Sequence, residues 1–204
     1  MSRQAQTKGQ CGYCERDFAK GGMIRHLTSC PRRREVTAAS GKRSAKSEKL
    51  FHLRIQDAWR VDYWLDVEMS ESATLQQLDL YLRAIWLECC GHMSRFSIGG
   101  WEGDEIPVNR RVDRVLEPGV ELTHIYDFGE SSETLVKVAA VREGRPTTRH
   151  PIALMARNIP PEFQCIECER PASRLCVECS IEEEVWGTLC GRHIETHPHD
   201  SYGE

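Results

Sequence analysis

Phe51, Leu53 and Ile55 alternate with His52, Arg54 and Gln56. A period of two puts one set on each side of an extended chain, which predicts a half-buried strand. Val61, Tyr63 and Leu65 alternate again after Trp59-Arg60, so residues 50–66 read as extended. The period then changes. Apolar residues recur at Leu75, Leu78, Leu82, Ile85, Trp86 and Cys89, the spacing of one helix face. Ser72 or Thr74 is placed to cap this helix, and Gly91 stands where helices commonly stop. Residues 95–98 read as a strand ended by Gly99-Gly100, and residues 112–116 as a short helical turn before Pro118-Gly119. Residues 121–128 and 133–141 read as two strands around Gly129, and residues 151–157 as a further one. The order predicts an α+β fold: a small mixed sheet covered by one main helix, arranged like a β-grasp.

This pattern occupies residues 50–158 of a 204-residue chain. Before it, residues 32–49 are rich in Ser, Ala, Gly, Lys and Arg and lack aromatics, which predicts a flexible basic linker. The flanks at 8–31 and 162–200 are short and cysteine-bearing, and each reads as a small module. No run of 18 apolar residues exists, so no membrane span is expected. The first residues are polar and lack the apolar core of a signal peptide. A cytoplasmic protein with reduced thiols is the expectation.

Eight of the ten cysteines stand at metal-ligand spacing. Cys11, Cys14, His26 and Cys30 form C-x2-C-x11-H-x3-C, a finger whose small core would be Phe18 and Leu27, with Gly21-Gly22 at the turn before its helix. Near the other end stand Cys165/Cys168, Cys176/Cys179, Cys190/His193 and His197/His199. A closed structural zinc site takes four ligands, so twelve ligands fit three Zn2+ ions per chain. Spacers of seven and ten residues favour a cross-brace, in which pairs one and three share one ion and pairs two and four the other. Consecutive pairing is the alternative. Asp200 or water could replace one of the two last histidines.

The formal charge of -4 hides a split: residues 1–50 hold 12 Lys/Arg and 4 Asp/Glu, a net +8, leaving -12 for the rest. A basic arm on an acidic body predicts a polyanion partner, DNA or RNA. The expected phosphate contacts are Lys20, Arg25, Arg32, Arg33, Arg34, Lys42 and Arg43. A solvated arm that touches nothing is the alternative. The acidic C-terminal module, with apolar Val185 and Trp186, suits a protein partner instead, unless Trp186 packs between the metal loops.

The middle segment resembles the plasmid pRiA4b ORF-3-like family. The resemblance rests on residues 53–64, on the helix from Leu75 ending in Gly91-His92-Met93, on Phe96, and above all on Tyr126-Asp127-Phe128-Gly129. It implies an association with plasmids or mobile elements. Relatives continue the last stretch with Asp, Trp and His, whereas this chain has Glu130-Ser131-Ser132-Glu133-Thr134. The C-terminal ligand order is similar to B-box and ZZ-type modules, which interleave two zinc sites.

Catalytic signatures are missing from the sequence: there is no G-x-S-x-G, no phosphate-cradling glycine loop and no H-E-x-x-H. His92 and Asp127 are the pair that could meet as base and orienter. Cys89 reads as a core residue beside Cys90. The expectation is a non-enzymatic zinc protein associated with nucleic acid, and the alternative is a protein-interaction adaptor.

Overall fold

The computed structural model describes residues 7–41, 46–86, 91–129, 131–176, 178–179 and 186–199. Lys42, Arg43, Cys89, Cys90, Val185 and Asp200 lie outside the described residues. The chain forms two compact units, Met1–Ile159 and Pro160–Glu204. Among the described residues no helix is long and apolar enough to cross a membrane.

The first unit opens with β1 (Lys8–Cys11), β2 (Asp17–Ala19), α1 (Lys20–Ser29) and α2 (Pro31–Ser40). It continues with β3 (Glu48–Asp57), β4 (Trp64–Ser70), α3 (Leu75–Trp86), β5 (Ser94–Ile98), β6 (Asp104–Ile106), β7 (Glu121–Tyr126), β8 (Ser132–Gly144) and β9 (Ile152–Asn158). All nine strands form one sheet in the order β2-β1-β9-β4-β3-β8-β7-β5-β6. The fold is α+β as expected, but the sheet is neither small nor mixed. Every pairing among the described residues is antiparallel, with none of the parallel pairing a β-grasp core carries.

The alternation in β3 and β4 sorts two different interiors onto the two faces. Phe51, Leu53 and Ile55, with Leu65, Val67 and Met69, join Leu75, Leu78 and Leu82 of α3 in an apolar core. Each fully buried side chain of this size contributes about 1.5–3 kcal/mol. Thr74, not Ser72, caps α3: its hydroxyl accepts from Gln77 N–H at 3.4 Å, and Gln77 Oε1 accepts from Thr74 N–H at 3.0 Å. The opposite face carries His52, Arg54, Asp66 and Glu68, which the period marks as exposed. They are 8 % exposed or less. The fully buried Asp66 accepts from His52 at 2.8 Å and from Arg54 at 3.0 and 2.8 Å. Glu68 accepts from Arg33 of α2 at 3.1 Å and from Arg142 of β8 at 2.8 and 2.6 Å.

The cover on that face comes from the N-terminal segment, which sequence alone reads as a separate finger and linker. Strand β1 pairs with β9, and Met23 and Leu27 of α1 pack on Trp64, Met155 and Ala156. A Cβ on Gly9 would run into the Trp64 ring and the Arg157 carbonyl, so only glycine lets the two strands close there. Residues 32–40 of the expected flexible linker are helical, in α2. Pro31 occupies a first-turn position that its fixed φ suits, and the Arg33–Glu68 pair ties the helix to the sheet. Gly21 and Gly22 lie inside α1 rather than in a turn before it. Val61 and Tyr63 belong to the β3–β4 turn, and β4 runs on to Ser70.

In the second unit, among the described residues, two short strands, β10 (Arg174–Leu175) and β11 (Thr188–Leu189), pair antiparallel, and a 3-10 turn spans Ile194–Thr196. Its apolar interior among the described residues is Leu189, the buried cysteines and part of Ile194.

Candidate metal centres

Twelve Cys and His side chains gather into three sets of four: Cys11, Cys14, His26 and Cys30; Cys165, Cys168, Cys190 and His193; Cys176, Cys179, His197 and His199. Within each set all four ligand atoms lie within 4.8 Å of one another. Zn–S bonds of about 2.3 Å and Zn–N bonds of about 2.0–2.1 Å imply tetrahedral edges of about 3.5–3.8 Å. The shortest separations bracket that range: 3.3 Å for Cys14–His26 and Cys165–His193, 3.9 Å for Cys168–Cys190, and 3.1–3.6 Å for the contacts of Cys176 and Cys179 with His197 and His199. All eight of these cysteines are free thiols. The sites fit three zinc ions, and four protein ligands at each leave no open coordination position. The C-terminal ligands interleave as the cross-brace spacing predicts.

Each site is assembled from a knuckle and a second element. In the first, Cys11 ends β1, and the chain folds back through Cys11 N–H to Arg16 O at 3.0 Å and Glu15 N–H to Cys11 O at 2.8 Å. Glu15 takes a left-handed φ of 59° to make that return. The α1 helix then presents His26, while Cys30 follows one turn later at the α1–α2 junction. Phe18 stacks on the His26 ring with centroids 3.7 Å apart, fixing its orientation. Burial, then the Arg16 charge, lowers the His26 pKa, which favours the neutral imidazole a metal needs. Burial pushes the Cys11 thiol up to about 11 in the absence of metal.

In the second unit, Cys165 N–H donates to Arg170 O at 2.9 Å to form one knuckle. The β10–β11 ribbon carries the chain between the sites. Burial raises the Cys165 thiol, but a backbone bond from Cys190 and the His193 ring outweigh it and leave it lowered to about 6. Cys176 is likewise lowered to about 7, with a backbone bond from Cys179 and the His199 ring outweighing burial. Thiolates are the ligating form, so both shifts favour metal. A Cβ on Gly187 would collide with the Cys176 carbonyl and crowd Cys179, so the second knuckle closes only against glycine.

Sequence reading missed Glu167. Its carboxylate lies 3.3 Å from His197 Nδ1 while His197 Nε2 faces the Cys179 thiol, and 3.7 Å from His193 Nδ1. A carboxylate behind a ligating imidazole orients the ring and raises its basicity. The position inside C-x2-C, next to Cys168, is the signal that could have found it.

The expected phosphate contacts divide. Arg25 and Arg34 are exposed and make no side-chain hydrogen bond or ion pair among the described residues. Arg32 pairs with Glu35 at 2.8 Å. Two more of the groups have internal partners. Lys20 donates to Val61 O at 2.5 Å, and burial, then Arg54, lowers its pKa. Arg33 donates to Leu27 O at 3.0 Å as well as to Glu68, so both groups serve the fold.

His92 and Asp127 do meet, Nδ1 to Oδ2, at 2.8 Å, with the His92 side chain half exposed. Behind them lies a cluster the sequence did not signal. Asp79 accepts from His124 at 2.8 Å, Ser94 at 2.7 Å and Arg83 at 2.9 Å. Burial raises its pKa, but these bonds prevail and hold it at about 2. Trp186 is 55 % exposed and stacks on Phe163, with centroids 5.9 Å apart.

No family model and no curated protein matches the chain. Among solved structures, the crystal structure of MM3350, a protein of unknown function from Methanosarcina mazei Go1, is similar at 16% sequence identity and a TM-score of 0.44. That likeness covers 51% of this chain and 66% of the other, just under two thirds of it.

Proposed function

We propose that this chain is a non-enzymatic zinc protein that binds nucleic acid through the exposed basic face of its N-terminal helices. The observation that carries the reading is the finger itself. Its zinc-site helix α1 presents Arg25, and α2 presents Arg34, both unengaged, on the segment that holds the +8 excess. Phosphate contact needs guanidinium groups held on a rigid element but free of internal carboxylates. Arg33 is held by the Glu68 carboxylate and Lys20 by the Val61 carbonyl, so the arm offers fewer free contacts than its charge implies. The zinc ions hold structure and carry no reaction, since four protein ligands close each site. The resemblance to the plasmid ORF-3-like family is consistent with a mobile-element setting.

Binding of a fluorescein-labelled duplex, followed by anisotropy at several salt concentrations, tests the reading. The Arg25→Ala/Arg34→Ala variant should lower the log–log salt slope by up to about two units, about one for each phosphate no longer neutralised. If the intact chain has no affinity at low salt, the reading fails.

A second reading, a protein-interaction adaptor, is favoured by one observation. In the second unit Trp186, Ile166 and Leu175 are exposed, at 55%, 46% and 39%. Exposed aromatic and aliphatic groups on a zinc module suit a protein surface. Trp186→Ala should then abolish co-purification of a partner from the native host while nuclease treatment leaves it intact.

A further inference from the structure

Outside the arm, the loop between β6 and β7 places three arginines on one shallow cleft. Pro107, Asn109, Arg110, Arg111 and Arg114 line a cleft of about 480 Å3. The backbone beneath it is fixed. Leu75 N–H donates to Arg110 O at 3.0 Å, Gln76 N–H to Val108 O at 2.7 Å, and Val112 N–H to Ala73 O at 2.8 Å. The buried side chains of Val112 and Leu116 anchor the loop in the apolar core. The guanidiniums are therefore held over a rigid floor rather than carried on a free loop.

Charge in the cleft is unbalanced. Arg111 makes a fork to Asp113 at 3.2 and 3.1 Å, and Arg114 approaches the same carboxylate at 3.9 Å with its side chain 76% exposed. Arg110 is exposed and makes no side-chain hydrogen bond or ion pair among the described residues. Of the three arginines, Arg111 and Arg114 face one carboxylate, Asp113, and Arg110 faces none among the described residues. This stands inside a body whose overall charge is strongly negative, so the cluster is not a consequence of general basicity. Guanidiniums lining one concave surface together with Asn109 match a phosphate group, which accepts several hydrogen bonds and carries the opposite charge.

We propose that this cleft is a second phosphate-contact site for nucleic acid, separate from the arm, so that the α+β unit itself grips the backbone. The inference rests on the nucleic-acid reading above and adds to it which surface of the body takes part. Arg110 and Arg114 make the contact, and Arg111, held by Asp113, positions the pocket wall.

The zinc-loaded full chain is titrated against the same labelled duplex across salt, in four forms: intact, Arg110→Ala, Arg110→Ala/Arg114→Ala, and the arm variant Arg25→Ala/Arg34→Ala. Arg110 has no internal partner among the described residues, so its replacement leaves the fold intact, which zinc content and circular dichroism verify. The single variant should lower the log–log slope by about one unit and the double variant by about two. The arm variant should lower it independently. If the duplex binds the intact chain and both cleft variants keep the full slope, the cleft proposal is overturned while the arm reading stands. If the duplex does not bind the intact chain at low salt, both fall together.

Discussion

The N-terminal zinc site and the two C-terminal ones draw on the same two ligand types, Cys and His, in different surroundings. The first sits on a finished wall: Trp64, Met155 and Ala156 of the sheet close over Cys11, Met23, Leu27 and Cys30. Among the described residues the C-terminal pair has no such wall, and its interior is largely the ligands themselves, plus Leu189 and part of Ile194. In the first case metal finishes a structure that packing already favours. In the second, metal is what replaces packing. Small domains that cannot bury enough apolar surface depend on such staples.

The sharpest way to break this comparison is to remove zinc. Elemental analysis of the purified chain should give three zinc ions. Chelation should then unfold Pro160–Glu204 outright, because structural zinc in small peptides supplies an apparent ~10–16 kcal/mol of folding free energy. Hydrogen exchange should show β3, β4 and α3 still protected after the same treatment. Loss of protection across both units at once would erase the distinction.

Single-ligand variants test the interleaving. Cys176→Ser should lower the zinc content from three to about one, because the two C-terminal sites brace one another and neither holds without the other. Cys30→Ser should lower it only to about two. Equal losses from the two variants would mean that the C-terminal sites load independently.

A third test moves to the charged interior under the finger. Glu68→Gln leaves Arg33 and Arg142 without their shared carboxylate at a site 4 % exposed. Breaking a buried pair from one side costs about 3–5 kcal/mol, which urea unfolding of the first unit should record. The zinc content should stay at three, since no ligand is touched.

The smallest effect is expected at Asp79. Hydrogen bonds from His124, Ser94 and Arg83 overcome its burial and hold its pKa at about 2, below the usual carboxylate range. A depressed carboxylate stabilises the fold fully above its unfolded pKa and ceases to do so as pH falls through the folded value. Asp79→Asn should therefore cost roughly 2 kcal/mol at neutral pH, and the difference from the parent chain should shrink between about pH 4 and pH 2. A pH-independent difference would assign the cost to packing instead.

The ligands were legible because metal chemistry fixes residue type and spacing. The apolar face was legible because α3 repeats leucine at 75, 78 and 82 and β3 alternates cleanly. What alternation could not reveal is that the polar set His52, Arg54, Asp66 and Glu68 is buried too. A period of two separates the faces but does not say what covers either one. For the same reason residues 32–40 read as a linker: the face of α2 that matters is Arg33, which looks like a solvated charge until Glu68 is placed beneath it. Strand pairings such as β1 with β9 are long-range, and nothing local encodes them.

That last pairing sets an order of events during synthesis. All four ligands of the first site lie before Pro31, so a nascent chain can capture its ion early. The wall it rests on waits for β9, which begins at Ile152. Until then Met23 and Leu27 have Trp64 of β4 to pack on but lack Met155 and Ala156, the part of the wall that β9 supplies. Contacts so distant in sequence are slow to form and leave apolar and charged surface exposed meanwhile. An early-loaded finger gives that waiting segment a shape of its own, ready to dock when the last strand of the sheet arrives.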